Sequence, residues 1–253
     1  MQSTITIIIP CHNSEPYIAG IVSDLNAQTF RAFHVIFVDD ASEKDIADTL
    51  EQLHPSFRYE VLYANCHNPG GARNIGIDLI EGEYTYFVDS DDRIDPDFLD
   101  YAMRTVRQYS DCIPMGCKIN ITDPAENTMR FRSDYAATRK SLNDMHLVGR
   151  LLFRSDILLG GIRFPELRYA EDFLFICQYC WAADIQGIAR HTGTFCHLKR
   201  SDSVKSEYIA EDFELAMYHM IPLIDNWCRS GYPQPFVDKL LAHISTIYKH
   251  LHV

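Results

Sequence analysis

Tyr86-Phe87-Val88-Asp89-Ser90-Asp91-Asp92 decides how this chain is read, because an apolar run suited only to a buried strand empties directly into three carboxylates. Oxygen donors suit hard divalent cations, and an ion shared with substrate phosphates needs only one or two protein carboxylates. Asp89-Ser90-Asp91 therefore has the chemistry of a metal and nucleotide site. Aspartates after a strand are also ordinary turn formers and helix caps, so the motif alone leaves both readings open.

On either side of it, short apolar runs alternate with helical patterns. Ile5-Thr6-Ile7-Ile8-Ile9 stops at Pro10, Val35-Ile36-Phe37-Val38 at Asp39-Asp40, and Val61-Leu62-Tyr63 precedes a Pro-Gly-Gly turn. Runs without strict polar alternation fit the interior of a parallel sheet, buried on both faces. Ile18, Ile21, Val22 and Leu25 have helical spacing, and Asp95-Pro96 reads as an N-cap followed by proline at the first helical position. The expected class is α/β, with a Rossmann-like, mostly parallel central sheet flanked by helices. Ligands of such sheets bind beyond the carboxyl ends of the strands, where Asp40, Arg73 and Asp91 would project.

Asn68-Pro69-Gly70-Gly71-Ala72-Arg73-Asn74 is a second constellation. Adjacent glycines let the Gly71 amide approach a phosphate, the helix start adds a positive dipole end, and Arg73 adds a cation in the first turn. The Gly-Lys-Ser/Thr ending of a Walker loop is missing, and a glycine turn followed by a surface arginine is the plainer alternative.

Composition narrows the classes. The 253 residues, 47% hydrophobic and 23% charged, fit one large globular domain or a domain with an appendage. A net charge of -12 without any basic run argues against nucleic-acid binding. The 8 cysteines, among them Cys112, Cys177 and Cys180, lie in apolar or helical settings, and most read as buried free thiols of a reducing cytosol. The N-terminus enters a strand without a charged or apolar leader, and no apolar run reaches membrane-spanning length, so a soluble cytoplasmic protein is expected.

Beyond about Lys205, Phe213, Met217, Met220, Ile221, Ile224 and Trp227 form an apolar helical stripe, and a second helix is expected from Pro235. Helix packing or homodimerisation suits the stripe better than membrane docking. Glu207, Glu211, Asp212, Glu214 and Asp225 make the segment acidic, which leaves at most peripheral contact with the inner membrane face. The ending at Leu251-His252-Val253 leaves a truncated chain open.

Five segments then line up with one family. Ile7 to Ile18 (Ile-Ile-Ile-Pro-Cys-His-Asn-Ser-Glu-Pro-Tyr-Ile), Gln28-Thr29-Phe30, Val38-Asp39-Asp40-Ala41-Ser42, Gly70-Gly71-Ala72-Arg73-Asn74-Ile75-Gly76 and Val88-Asp89-Ser90-Asp91-Asp92 resemble the successive signatures of inverting family 2 glycosyltransferases with the GT-A fold, of the type that serves bacterial polysaccharide synthesis. The resemblance continues more thinly through Leu151-Leu152-Phe153-Arg154, Ile162-Arg163-Phe164-Pro165-Glu166 and Ala170-Glu171-Asp172-Phe173. Ala41 stands where glycine is common, and Glu43-Lys44-Asp45 follows the usual Ser-x-Asp-x-Thr only loosely.

The resemblance implies a nucleotide-sugar donor, a UDP-sugar favoured, a saccharide or lipid-linked acceptor, and Mn2+ or Mg2+. Pro10, Asn13 and Glu15 would sit at the nucleotide pocket, Asp40 with Asp39 beside it would receive the base, and Arg73 would lie near the base or diphosphate. Asp89 would face the ribose or donor sugar and share the metal with Asp91, and Asp172 would be the catalytic base. An inverting transfer is a single displacement, so one carboxylate suffices to take the acceptor's proton; an N-cap for the apolar helix that follows is the alternative for Asp172. A GT-A domain would span 1–205, with a nucleotide-binding half at 1–110 and an acceptor half at 111–205, and a helical segment would follow at 206–253. His197 reads as a further metal ligand or, with Lys199 and Arg200, a phosphate contact or a plain surface turn; Met115-Gly116, Tyr135 and Arg150 flank an acceptor cleft or simply pack.

Other classes fit less well. A sugar-phosphate nucleotidyltransferase needs a glycine-rich loop after the first strand, where Cys11-His12-Asn13-Ser14-Glu15 has no glycine. A haloacid-dehalogenase-type phosphatase carries its Asp-x-Asp on the first strand, whereas Asp89 follows several. A non-catalytic nucleotide-sugar-binding protein is the binding-module alternative.

Overall fold

The computed structural model describes residues 4–121, 137–140, 147–167, 170–198, 210–230 and single positions between 238 and 245. β1 (Ile5–Cys11) is buried at every position, as a continuous apolar run requires of a strand held between two layers. It pairs in parallel with β2 (Phe33–Asp40) and β4 (Tyr84–Phe87), and β2 pairs in parallel with β3 (Arg58–Ala64). An antiparallel β8 (Leu152–Arg154) adds to β4, giving the order β3-β2-β1-β4-β8. The expected mostly parallel sheet is present.

Alternate residues feed opposite layers. Ile7, Ile9, Val35, Phe37 and Tyr86 pack with α1 (Ile18–Ala27), α2 (Ile46–Leu53) and α4 (Phe98–Gln108), through residues such as Ile21, Leu50 and Leu99. Ile8, Ile36, Val38 and Phe87 pack against α3 (Pro69–Ile77) and α6 (Glu171–Ala182) through Ala72, Phe173 and Phe175. Burying one such side chain is worth about 1.5–3 kcal/mol. Strand order reverses between β1 and β4, which opens a crevice at their carboxyl ends.

The rest of the chain builds a second sheet that the sequence had left undivided. β5 (Arg93–Ile94) and β7 (Ala137–Lys140) pair antiparallel with β9 (Gly187–Leu198), and β6 (Cys112–Ile121) pairs parallel with it. Arg93 ties this sheet back to α1 through two 2.7 Å bonds to Asp24. A short α5 (Ser155–Leu159) follows β8.

Three local expectations shift. The Pro-Gly-Gly turn is the first turn of α3, with Asn68 as its cap. The Asp95-Pro96 cap gives way to Asp97, because the Asp95 carboxylate accepts the N–H groups of Asp97 and Thr194 and so staples the entry of α4 to β9. In α7 (Ala210–Ser230), Ala216 and Met220 are buried and Met217 half-buried, but Ile221 is 56% exposed because it lies about 100° further round the helix than Met220. The side chains of Phe213, Ile224 and Trp227 fall outside the described residues; of the segment from Pro235, the described positions Asp238, Leu241, Ala242 and Ser245 are helical and exposed. No cysteine forms a disulfide, and Cys177 and Cys180, spaced Cys-x-x-Cys on α6, are both buried thiols. Among the described residues, no helix is long and apolar enough to cross a membrane.

Candidate active site

The crevice between β1 and β4 holds a cavity of about 340 Å³. Its wall is Pro10, Cys11, His12 and Ser14 from β1 and its exit, Asp40 from the end of β2, His67 to Pro69 and Ala72 around the start of α3, and Asp89 to Asp91 after β4. Hydrogen bonds join these loops. Ser14 Oγ lies 2.8 Å from Ser90 Oγ, and His12 Nδ1 lies 2.7 Å from the Asp40 carbonyl. Neither serine nor His12 was singled out from the sequence; their position directly beyond a buried strand was the available signal.

The carboxylates after β2 organise backbone. Asp40 accepts the N–H groups of Cys66, His67 and Asn68, and so shapes the loop that leads into α3 while still facing the cavity. Asp39 accepts from Ser42 at 3.1 Å and Ile46 at 3.3 Å, holding the β2–α2 turn. Asn13, with φ +49, binds that same turn through Ser42 Oγ and the Glu43 N–H. Asp39, Asn13, Glu15 and Gly71 are absent from the cavity wall. The Gly71 N–H, expected to meet a phosphate, instead donates to the capping Asn68 Oδ1 at 2.6 Å. A Cβ at Gly71 would lie 2.7 Å from that of Cys66, so what glycine supplies is room.

Asp89, Asp91 and Asp92 bring one carboxylate oxygen each within 4.8 Å of one another. Burial, and then the charges of Asp89 and Asp91, hold the Asp92 carboxyl well above the usual carboxylate range. Three hard oxygens are the donor set a divalent ion prefers. His197 sets its Nδ1 3.1 Å from Asp92 Oδ1, which also accepts the Leu198 N–H, so this histidine stands behind the cluster through Asp92. Arg150 is buried and donates Nε and Nη2 to the Gly116 carbonyl, tying the turn before β8 to β6. Tyr135, Lys199 and Arg200 lie outside the described residues.

α6 opens at Glu171 with Ala170 in the cap position at φ +63, and the cap makes no side-chain hydrogen bond. Asp172 is therefore not the cap. Its Oδ1 accepts from Arg73 Nη1 at 3.1 Å, while Arg73 Nη2 donates to Asp89 Oδ1 at 2.6 Å. Arg73, expected near a base or diphosphate, is 2% exposed and does not line the cavity. Burial and the neighbouring Asp172 charge push the Glu171 carboxyl up to about 8. Asp172, Arg73 and Asp89 thus form one chain of charges, assembled from α6, α3 and the loop after β4.

The chain is 29% identical over 218 residues to poly(ribitol-phosphate) β-N-acetylglucosaminyltransferase TarS of Staphylococcus aureus, covering 82% of this chain and 38% of that protein. It is 36% identical over 202 residues to the succinoglycan biosynthesis protein ExoW of Rhizobium meliloti, covering 70% of this chain and 63% of the relative. The chain thus spans less than two thirds of either relative. The crystal structure of S. aureus TarS 1-349 in complex with UDP-GlcNAc superposes with a TM-score of 0.76 at 23% identity, covering 97% of this chain and 72% of that one. That of the mannosyltransferase PcManGT of Pyrobaculum calidifontis, with GDP-Man and Mn2+, superposes with a TM-score of 0.63 at 16% identity, covering 96% and 70%. These likenesses give the fold as GT-A, and the family model for glycosyl transferase family 2 matches residues 6–157: the chain belongs to that family.

Proposed function

We propose that this chain is an inverting glycosyltransferase that takes a nucleotide sugar, a UDP-sugar favoured, and passes the sugar to a saccharide or lipid-linked acceptor in building a bacterial surface polysaccharide. The observation that carries the reading is the Asp172–Arg73–Asp89 bridge, which sets a proton acceptor one guanidinium away from the wall of the cavity. The N-acetylglucosaminyltransferase and succinoglycan-biosynthesis relatives support the donor class and the pathway.

In this reading the nucleotide occupies the cavity at the carboxyl ends of β1, β2 and β4, with Asp40 keeping the loop at Cys66 to Asn68 in shape around it. The acceptor hydroxyl attacks the anomeric carbon opposite the departing nucleoside diphosphate and loses its proton to Asp172; no covalent intermediate is required. Glu171, pushed up to about 8, holds its own proton at neutral pH and leaves that task to its neighbour. Asp91 and Asp89, with the buried Asp92 behind them, fit a hard divalent ion, Mn2+ or Mg2+. When bound, such an ion offsets the charge of the leaving diphosphate.

The test is Asp172→Asn, followed by UDP release from a panel of UDP-sugars that includes UDP-GlcNAc, with calorimetric titration of UDP alongside. A positioned base is worth about 10²–10⁴ in rate, so turnover should fall by that factor while UDP affinity holds. An Asp172→Asn protein that turns over at the wild-type rate would remove the base assignment.

A further inference from the structure

Arg73 is the largest fully buried side chain of the described residues, yet each end of its guanidinium serves a carboxylate from a different part of the chain. Asp89 is 16 residues away in sequence and Asp172 is 99. Nε is buried without a partner, and Cζ lies 5.0 Å from the centroid of the Phe164 ring. Phe164 is itself immobilised. It stacks on Phe175 with ring centroids 3.8 Å apart and planes 4° from parallel, and Asn74 clasps its backbone by a 2.8 Å and a 2.9 Å bond. Arg73 is thus gripped on its face by a ring that packs on α6, three residues past Asp172, and at its edge by both carboxylates.

A residue that grips a mobile diphosphate needs access to it, and Arg73 has none: Ala72 lines the cavity and Arg73 does not. What a rigid, planar fork with divergent donors does well is fix the distance between two acceptors. Burial opposes the charge on Arg73, but the nearby charges of Asp89 and then Asp172 outweigh it and keep the guanidinium protonated.

Resting on the assignment of Asp172 as base, we propose that Arg73 is a positioning residue: it locks the base to Asp89 on the cavity wall, aligning the proton acceptor with the donor site, and does not bind the diphosphate. A shift of about 1 Å in a reacting group can cost on the order of 10² in rate. Arg73→Lys keeps the charge but cannot span both carboxylates.

The experiment measures UDP affinity by calorimetry in Mn2+ and steady-state UDP release from the UDP-sugar that the wild type turns over. For Arg73→Lys, UDP affinity and the KM for the donor should stay within about threefold of wild type while kcat falls about 10²-fold. The double variant Arg73→Lys/Asp172→Asn should be no slower than Asp172→Asn alone, because misplacing a base already removed changes nothing. A loss of UDP affinity of about tenfold or more would make Arg73 a diphosphate ligand and overturn the proposal, as would wild-type kcat or additive losses in the double variant. If Arg73→Lys fails to fold, Phe164→Leu carries the same test, since it removes the clamping ring and no charge: kcat should fall with UDP affinity kept, and an unchanged kcat overturns the proposal. An active Asp172→Asn sinks the base assignment itself, whereas an inactive Asp172→Asn beside a fully active Arg73→Lys sinks only the role given to Arg73.

Discussion

Glu171 and Asp172 are adjacent carboxylates with different environments. Asp172 has a guanidinium partner at 3.1 Å, whereas Glu171 is pushed up to about 8 by burial and by Asp172. A carboxyl whose folded pKa lies above its unfolded value of 4.5 adds stability that is fully present below pH 4.5 and is lost as pH rises through 8. Glutamine mimics the protonated form at every pH. Glu171→Gln should therefore keep UDP release close to wild type at pH 7, and its melting temperature should gain on wild type between pH 5 and pH 8. A collapse of turnover at pH 7 would mean that the ionised Glu171 takes part in the chemistry.

At the scale of elements, the start of α3 is the joint on which the site depends. Asn68 caps the helix through the Gly71 N–H, donates from its own N–H to Asp40, and lines the cavity. An uncapped helix start costs about 1 kcal/mol, with aspartate as good a cap as asparagine. Asn68→Ala should lower the unfolding free energy measured in urea by that amount and weaken UDP binding, because the loop that Asp40 organises frays with the cap. Asn68→Asp should keep the cap while placing a second carboxylate near Asp40, so its stability loss should shrink as salt is added. Equal loss for the two variants at high salt would show that the cap contributes little.

Across the whole molecule, the interface between α4 and the second sheet contains a histidine that only folding buries. His191 packs its ring 5.2 Å from that of Phe98 and accepts the Gly193 N–H on Nδ1; burial, and then the Arg150 charge, push it down to about 3. Its folded pKa lies below its unfolded value of 6.5, so its contribution is present above pH 6.5 and is lost as pH falls towards 3. The slope is about 1.4 kcal/mol per pH unit, or roughly 2 kcal/mol between pH 6.5 and 5. Chemical denaturation of wild type and His191→Gln at pH 7 and pH 5 reads this directly: the variant's acid loss should be smaller, and parallel losses would place the acid sensitivity elsewhere.

Much of the donor side was legible because its cause is local. An all-apolar run such as Ile5 to Ile9 has no stable place except a two-sided interior, and a strand that ends in acids puts them at a sheet edge whatever follows, so the parallel sheet and the positions of Asp40, Asp89 and Asp91 could be read from the sequence. Ala41, noted for standing where glycine is common, does adopt φ +57, the conformation that makes glycine the usual occupant. Tertiary structure alone decided which groups satisfy one another. No spacing rule predicts that Asp40 would turn to three backbone amides, that Gly71 would yield its N–H to a cap, or that Arg73 would leave the surface to join residues 16 and 99 positions away. The physical reason is that burial penalises every unmatched donor, acceptor and charge. The partner that relieves the penalty is whatever the packed chain brings within about 3 Å, and that proximity is set by the fold, not by the order of residues.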